Sequence, residues 1–157
     1  MSTRNSADQA LVRELNLSLV LRYIHNEAPV SRAQIAQATG LNKSTVSSLA
    51  EDLLKRKLIH ETGINSVGTG RPATLLEINP RAGGIIGTEL GVDFIAIVLT
   101  DFTGNILWRQ LTNVDPADAQ ETILTKLKEL TVKATEVCNE YDLNCLGLGL
   151  SVPGTVD

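Results

Sequence analysis

Apolar residues recur along the first eighty positions with a helical period. Leu17, Val20, Leu21 and Ile24 fall at i, i+3, i+4 and i+7, one face of a 3.6-residue repeat. Asn16 is placed to cap that helix, and Leu11, Val12 and Leu15 predict a further helical stretch before it. Glu27-Ala28-Pro29 ends the helix, because a residue before proline avoids the α region. Ser31-Arg32-Ala33-Gln34 has the spacing of a capping box. It opens a short helix with Ile35, Ala36 and Ala38 apolar, and Gly40 is a natural stop. Asn42 can cap a third helix, whose Val46, Leu49, Ala50 and Leu53 repeat the i, i+3, i+4, i+7 spacing. Lys55-Arg56-Lys57 sits in its last turn, where cations suit the helix dipole. Strands are predicted over Leu58–Thr62 and Ala73–Ile78, joined by the Gly-rich loop 63–72.

After Asn79-Pro80 the pattern changes. Gly83-Gly84 breaks the chain, and strands are predicted over Ile85–Val92, Phe94–Thr100 and Asn105–Leu111, with a turn at Asp101–Gly104. Strands this close in sequence pair as an antiparallel meander. Asp115-Pro116 reads as N-cap and first residue of a long helix. Its apolar stripe is Ile123, Leu124, Leu127, Leu130, Ala134, Val137, Cys138 and Tyr141, which makes Cys138 a core residue and not a nucleophile. Leu146–Val152 predicts a fourth, buried strand punctuated by Gly147 and Gly149, and Pro153-Gly154 turns out of it. The expected class is α+β, with one unit over 1–80 and a second over 81–157.

Charge sharpens this division. The 157-residue chain has a formal net charge of −4. Residues 1–80 hold nine Lys+Arg against seven Asp+Glu, net +2; residues 81–157 hold five against eleven, net −6. A mildly basic half joined to an acidic one is compatible with nucleic-acid binding by one part only. No apolar run approaches a membrane span, and the polar Met1–Gln9 segment has no apolar signal core, so a cytoplasmic protein is expected. Two cysteines make neither a disulfide framework nor a zinc site. His25 and His60 lie on different elements, with no Cys or carboxylate cluster around them.

A capped short helix, a Gly turn and a second helix exposing small polar groups is the helix-turn-helix layout. Lys43, Ser44, Thr45, Ser47 and Ser48 offer one cation and short donors and acceptors at the helix start, where base edges and phosphates are met. Arg32, Gln34 and Asn42, on the preceding helix and turn, complete the candidate set there. A soluble, well-capped helix face would explain the serines alone; the preceding helix and the Gly40 turn favour DNA. With the two strands as a wing, the plan is a winged helix-turn-helix. Gly70 lets the wing backbone approach DNA, and Arg71, stiffened by Pro72, suits a narrow minor groove. The same glycines lack the Gly-Lys-Ser/Thr of a Walker loop.

Taken together, the chain resembles the ROK family (repressor, open reading frame, kinase), specifically its transcriptional repressors. The likeness rests on Asn16–Leu21, Pro29–Arg32, Ile35–Gly40, Lys43–Ser47, Gly70-Arg71-Pro72, Ile86–Gly91 and Gly147–Gly154. It implies a repressor of carbohydrate genes that binds a double-stranded operator as a homo-oligomer, and whose second domain, of actin-like ATPase type, senses a sugar or sugar phosphate. By the same resemblance Pro153 and Gly154 border the effector cleft. The family's catalytic Asp, sugar motif and structural zinc motif would lie beyond residue 157, so no cofactor is expected within this chain and 81–157 reads as an incomplete unit. The alternative is an ATP-dependent sugar kinase. It is disfavoured because Glu89 and Asp93 stand where kinase relatives carry the Asp and Thr of Asp-x-Gly-x-Thr, adding a carboxylate beside the phosphate position. A winged helix that contacts protein instead of DNA is a third reading.

Overall fold

A computed structural model describes residues 2–65 and 73–154, and the chain divides into two compact units, Met1–Asn79 and Pro80–Asp157. The α+β class expected from the sequence holds in both.

The first unit begins with α1 (Ser2–Glu27), a single helix of 26 residues. Asn16 therefore lies inside a helix and does not cap one, a correction to the sequence reading. No Gly or Pro interrupts residues 8–15, so nothing upstream of Asn16 breaks the helix. A two-residue strand β1 (Val30–Ser31) follows, which the periodicity does not reveal. Then come α2 (Arg32–Thr39), α3 (Lys43–Lys55), β2 (Ile59–Asn65) and β3 (Ala73–Ile78). The three strands form one antiparallel sheet in the order β1-β3-β2, with Val30 opposite Leu76 and Ile59 opposite Ile78.

The caps predicted for α2 and α3 are present. The Ser31 hydroxyl accepts from the Gln34 amide, and Gln34 Oε1 accepts from the Ser31 amide at 2.9 Å. Gly40 closes α2 in the left-handed region, at φ 71°. Asn42 Oδ1 accepts from the Thr45 amide at 2.7 Å and starts α3. The core gathers Val20 and Ile24 of α1, Ile35 of α2, Val46, Leu49 and Leu53 of α3, and Ile59 and Leu76 of the sheet, all essentially fully buried. Each such side chain contributes about 1.5–3 kcal/mol of transfer free energy.

The second unit opens with a 3-10 turn at Pro80–Ala82 and continues through β4 (Gly84–Leu90), β5 (Phe94–Thr100), β6 (Ile106–Asn113), α4 (Gln120–Glu140) and β7 (Cys145–Ser151). The sheet order is β6-β5-β4-β7; the first three strands are the expected meander, and β7 pairs with β4 in parallel. Helix α4 covers one face, packing Leu130, Ala134 and Cys138 on Ile86, Ile95, Ile97 and Leu99. Cys138 is fully buried, as its place in the helical stripe predicts.

Three expectations change here. Asp115 does not cap α4. It makes a local turn instead, its side chain accepting from the Ala117 amide and its carbonyl from the Asp118 amide, both at 2.9 Å, and α4 starts at Gln120 with no side-chain cap. Leu124 and Tyr141 are 39% and 47% exposed, so the buried stripe is narrower than the apolar one; the Tyr141 hydroxyl donates to the Leu107 carbonyl. Strand β7 is exposed and not buried, with Leu146, Leu148 and Leu150 near half exposure, because it is an edge strand that α4 only partly covers.

Candidate nucleic-acid interface

Packing decides which way α3 faces. Val46, Leu49, Ala50 and Leu53 are buried, so the opposite row of Ser44, Ser48, Glu51 and Lys55 points outward, one residue per turn. All four are exposed. Lys43 is exposed at the first turn, and Thr45 and Ser47 are half-buried on its flanks. Among the described residues Lys43 and Lys55 take part in no ion pair. The expected α3 residues are thus brought together at one end of one helix. Lys55, which the sequence reading assigned only to the helix dipole, extends the row by two turns. The i, i+4, i+7, i+11 spacing of residues 44, 48, 51 and 55 is the signal that finds it.

The residues around α3 divide by what their polar atoms already do. Asn42 Oδ1 is occupied by the Thr45 amide and the Ser44 hydroxyl, at 2.7 and 2.8 Å. Gln34 Oε1 is likewise held by Ser31. Both side chains therefore shape the helix starts, and only their amide hydrogens are left to point elsewhere. The Arg32 guanidinium pairs with Glu61 on β2 at 3.2 Å, tying α2 to the wing strand. Arg56 is also engaged, by Asp52 at 2.9 Å and Glu14 at 3.7 Å. The Arg56 guanidinium in turn holds the Asp52 carboxyl below its ordinary range, with help from Arg13. Lys57 occupies the left-handed region at φ 58°, turning the chain from α3 into β2. Gly70 and Arg71 lie outside the described residues.

In the second unit, β4 and β7 run parallel with Glu89 opposite Ser151, so Glu89–Gly91 and the exposed Pro153-Gly154 leave the sheet at the same end. Carboxyl ends of parallel strands are where α/β sheets bind ligands. A Cβ on Gly91 would strike the Phe94 ring, so a packing requirement accounts for this glycine without a phosphate. The sheet face away from α4 carries a groove of about 700 Å³ lined by Gly87, Glu89, Ala96, Val98, Arg109 and Leu111 among others. Among the described residues no group of three His, Cys, Asp or Glu side chains is placed to hold a metal, and no helix is long and apolar enough to cross a membrane.

A MarR family model matches residues 18–66, the span from α1 into the wing. The chain is 37% identical over 150 residues to a protein named putative xylose repressor from Caldicellulosiruptor sp. (strain Rt8B.4), covering 96% of this chain and 38% of that one. It is 34% identical over 154 residues to the xylose repressor of Bacillus subtilis (strain 168), covering 96% and 39%. Identity to the DNA-binding transcriptional dual regulator NagC of Escherichia coli (strain K12) is 27% over 147 residues, covering 94% and 36%. A crystal structure described as a ROK family transcriptional regulator, a homolog of the E. coli MLC protein, superposes with a TM-score of 0.71 at 22% identity, covering 92% of this chain and 37% of that one. The chain thus spans a little over a third of the length of the relatives it matches.

Proposed function

We propose that the chain is a transcriptional repressor of the ROK family, that its first unit binds operator DNA, and that its second is part of a sugar-sensing domain. The observation that carries this reading is the capped helix α3, buried on one side and presenting Lys43, Ser44, Ser48 and Lys55 on the other. Lys43 and the free amides of the first turn meet phosphate; Ser44, Thr45, Ser47 and Ser48 position the helix and meet base edges. Arg71 of the wing enters the adjacent minor groove. Gln34 and Asn42 act by fixing the two helix starts. Arg32 contacts DNA only by leaving Glu61. The relatives named as xylose repressors support a role in repressing sugar-metabolism genes. The proposed place of action is the cytoplasm, and the proposed effector is a sugar or sugar phosphate bound near Pro153 and Gly154.

Phosphotransfer is not part of the proposal. Glu89 is exposed at the end of β4 and Asp93 in the following turn, and neither arrangement favours a nucleotide phosphate. Selection from a random duplex pool tests the function. Recovered duplexes are expected to share a motif, and Ser44→Ala with Ser48→Ala is expected to change it. Failure to retain any duplex at low salt would refute DNA binding.

A further inference from the structure

Helix α1 has two apolar faces. Leu17, Val20 and Ile24 are buried in the first unit, whereas Leu11, Val12, Leu15 and Leu19 are 61%, 55%, 61% and 40% exposed. Leu11, Leu15 and Leu19 are four residues apart and form one row on the side away from the core. The charges near this row are also ordered. Asp8 lies seven residues before Leu15 and Arg22 seven after it, both exposed and on the same side of the helix. Among the described residues neither takes part in an ion pair, whereas Arg13 and Glu14 on the core side are held by Asp52 and Arg56.

We propose that this face is a dimer interface whose occupant is α1 of a second copy, packed antiparallel about a two-fold axis at Leu15. The row is symmetric about that residue. Reversal brings Leu11 level with Leu19 of the second copy and sets Leu15 against its own equivalent. It also brings Asp8 level with Arg22 at both ends, about 10 Å from the axis at 1.5 Å per residue. A parallel pair would set Asp8 against Asp8 and Arg22 against Arg22, so the charges select the antiparallel arrangement. A two-fold interface must be self-complementary, and this one is in both apolar and charged positions. The row is smaller than the roughly 800 Å² per partner of a stable interface, so association through it alone is weak and concentration-dependent. The interface does not rest on the DNA-binding reading.

Sedimentation equilibrium on the whole chain over a concentration series tests it. The wild type is expected to dimerise, and Leu15→Glu to raise the dissociation constant by about tenfold or more, since it places two carboxylates at the axis. Asp8→Arg and Arg22→Asp each weaken the dimer roughly threefold to tenfold, and the double exchange restores it. In a Cys145→Ser background, Leu15→Cys is expected to form a disulfide-linked dimer on oxidation and Arg22→Cys not to. A wild type that stays monomeric, a dimer indifferent to Leu15→Glu, a double exchange that does not restore, or cross-linking at residue 22 would each overturn the proposal.

Discussion

Two residues show how one side chain does local work that a reading of function depends on. Lys43 is exposed at the amino end of α3 and joins no ion pair among the described residues, so phosphate contact is the use its position suits best. Lys43→Ala is expected to weaken binding on every duplex and to lower the slope of log affinity against log salt by about one. Anisotropy titrations at several salt concentrations measure this, and an unchanged slope removes Lys43 from the contacts. Asp101 is 7% exposed in the β5–β6 turn. Its Oδ1 accepts from the Thr103 amide and hydroxyl and the Asn105 amide, and its Oδ2 from Asn105 Nδ2, at 2.7–3.0 Å. Burial pushes the carboxyl pKa up, but the bonds from Thr103 and Asn105 outweigh it and hold the group below its ordinary value. A depressed carboxyl stabilises the fold above its unfolded pKa of about 3.9, and that contribution is lost as pH falls through the lower folded value. Asp101→Asn should therefore cost about 1–3 kcal/mol at neutral pH. In thermal melts the gap to wild type should narrow at acid pH. A gap that stays constant from neutral to strongly acid pH would contradict the assignment.

At the scale of elements, what was legible in the sequence was whatever short-range chemistry decides. The Ser31–Gln34 box, the Gly40 stop and the Asn42 cap are settled within four residues, and they appear where the spacing puts them. Asn16 shows the limit, since a good capping residue caps only where the chain before it leaves the helix. Strand β1 is two residues long and owes its state to pairing with β3, a partner more than forty positions away. The exposure of β7 was not legible either, because an apolar run gives its preference for burial and not the surface that covers it. The outward direction of Lys55 needed the buried face of α3 to be known first. The Asn42 cap gives a test that separates folding from binding. Asn42→Ala removes the acceptor for the Thr45 amide and should cost about 1 kcal/mol in denaturant unfolding. Asn42→Asp keeps the cap and the stability but sets a carboxylate beside the phosphate contacts. It should weaken DNA binding with little change in unfolding midpoint, and equal loss in both measurements would tie Asn42 to folding alone.

For the whole molecule the division of charge matters more than its sum. The half with the outward α3 row is +2, and the half after it is −6. In the proposed complex, DNA would therefore meet an attractive net charge on one unit and a repulsive one on the other. The range of that repulsion is set by salt: the Debye length is about 30 Å at 0.01 M and about 3 Å at 1 M. Glu129, Glu136 and Glu140 lie exposed on α4 and join no ion pair among the described residues. Changing all three to Gln takes the formal net charge of the chain from −4 to −1 without touching α3. Long-range charge acts on encounter more than on the bound complex. The triple variant should thus associate with duplex DNA several-fold faster than wild type near 0.01 M salt, the difference fading toward 1 M. Its dissociation rate should stay the same at every salt concentration. Stopped-flow anisotropy reads both rates. A change confined to dissociation would mean that α4 touches DNA directly, and no change at low salt would mean that the acidic unit lies too far from the bound duplex to repel it.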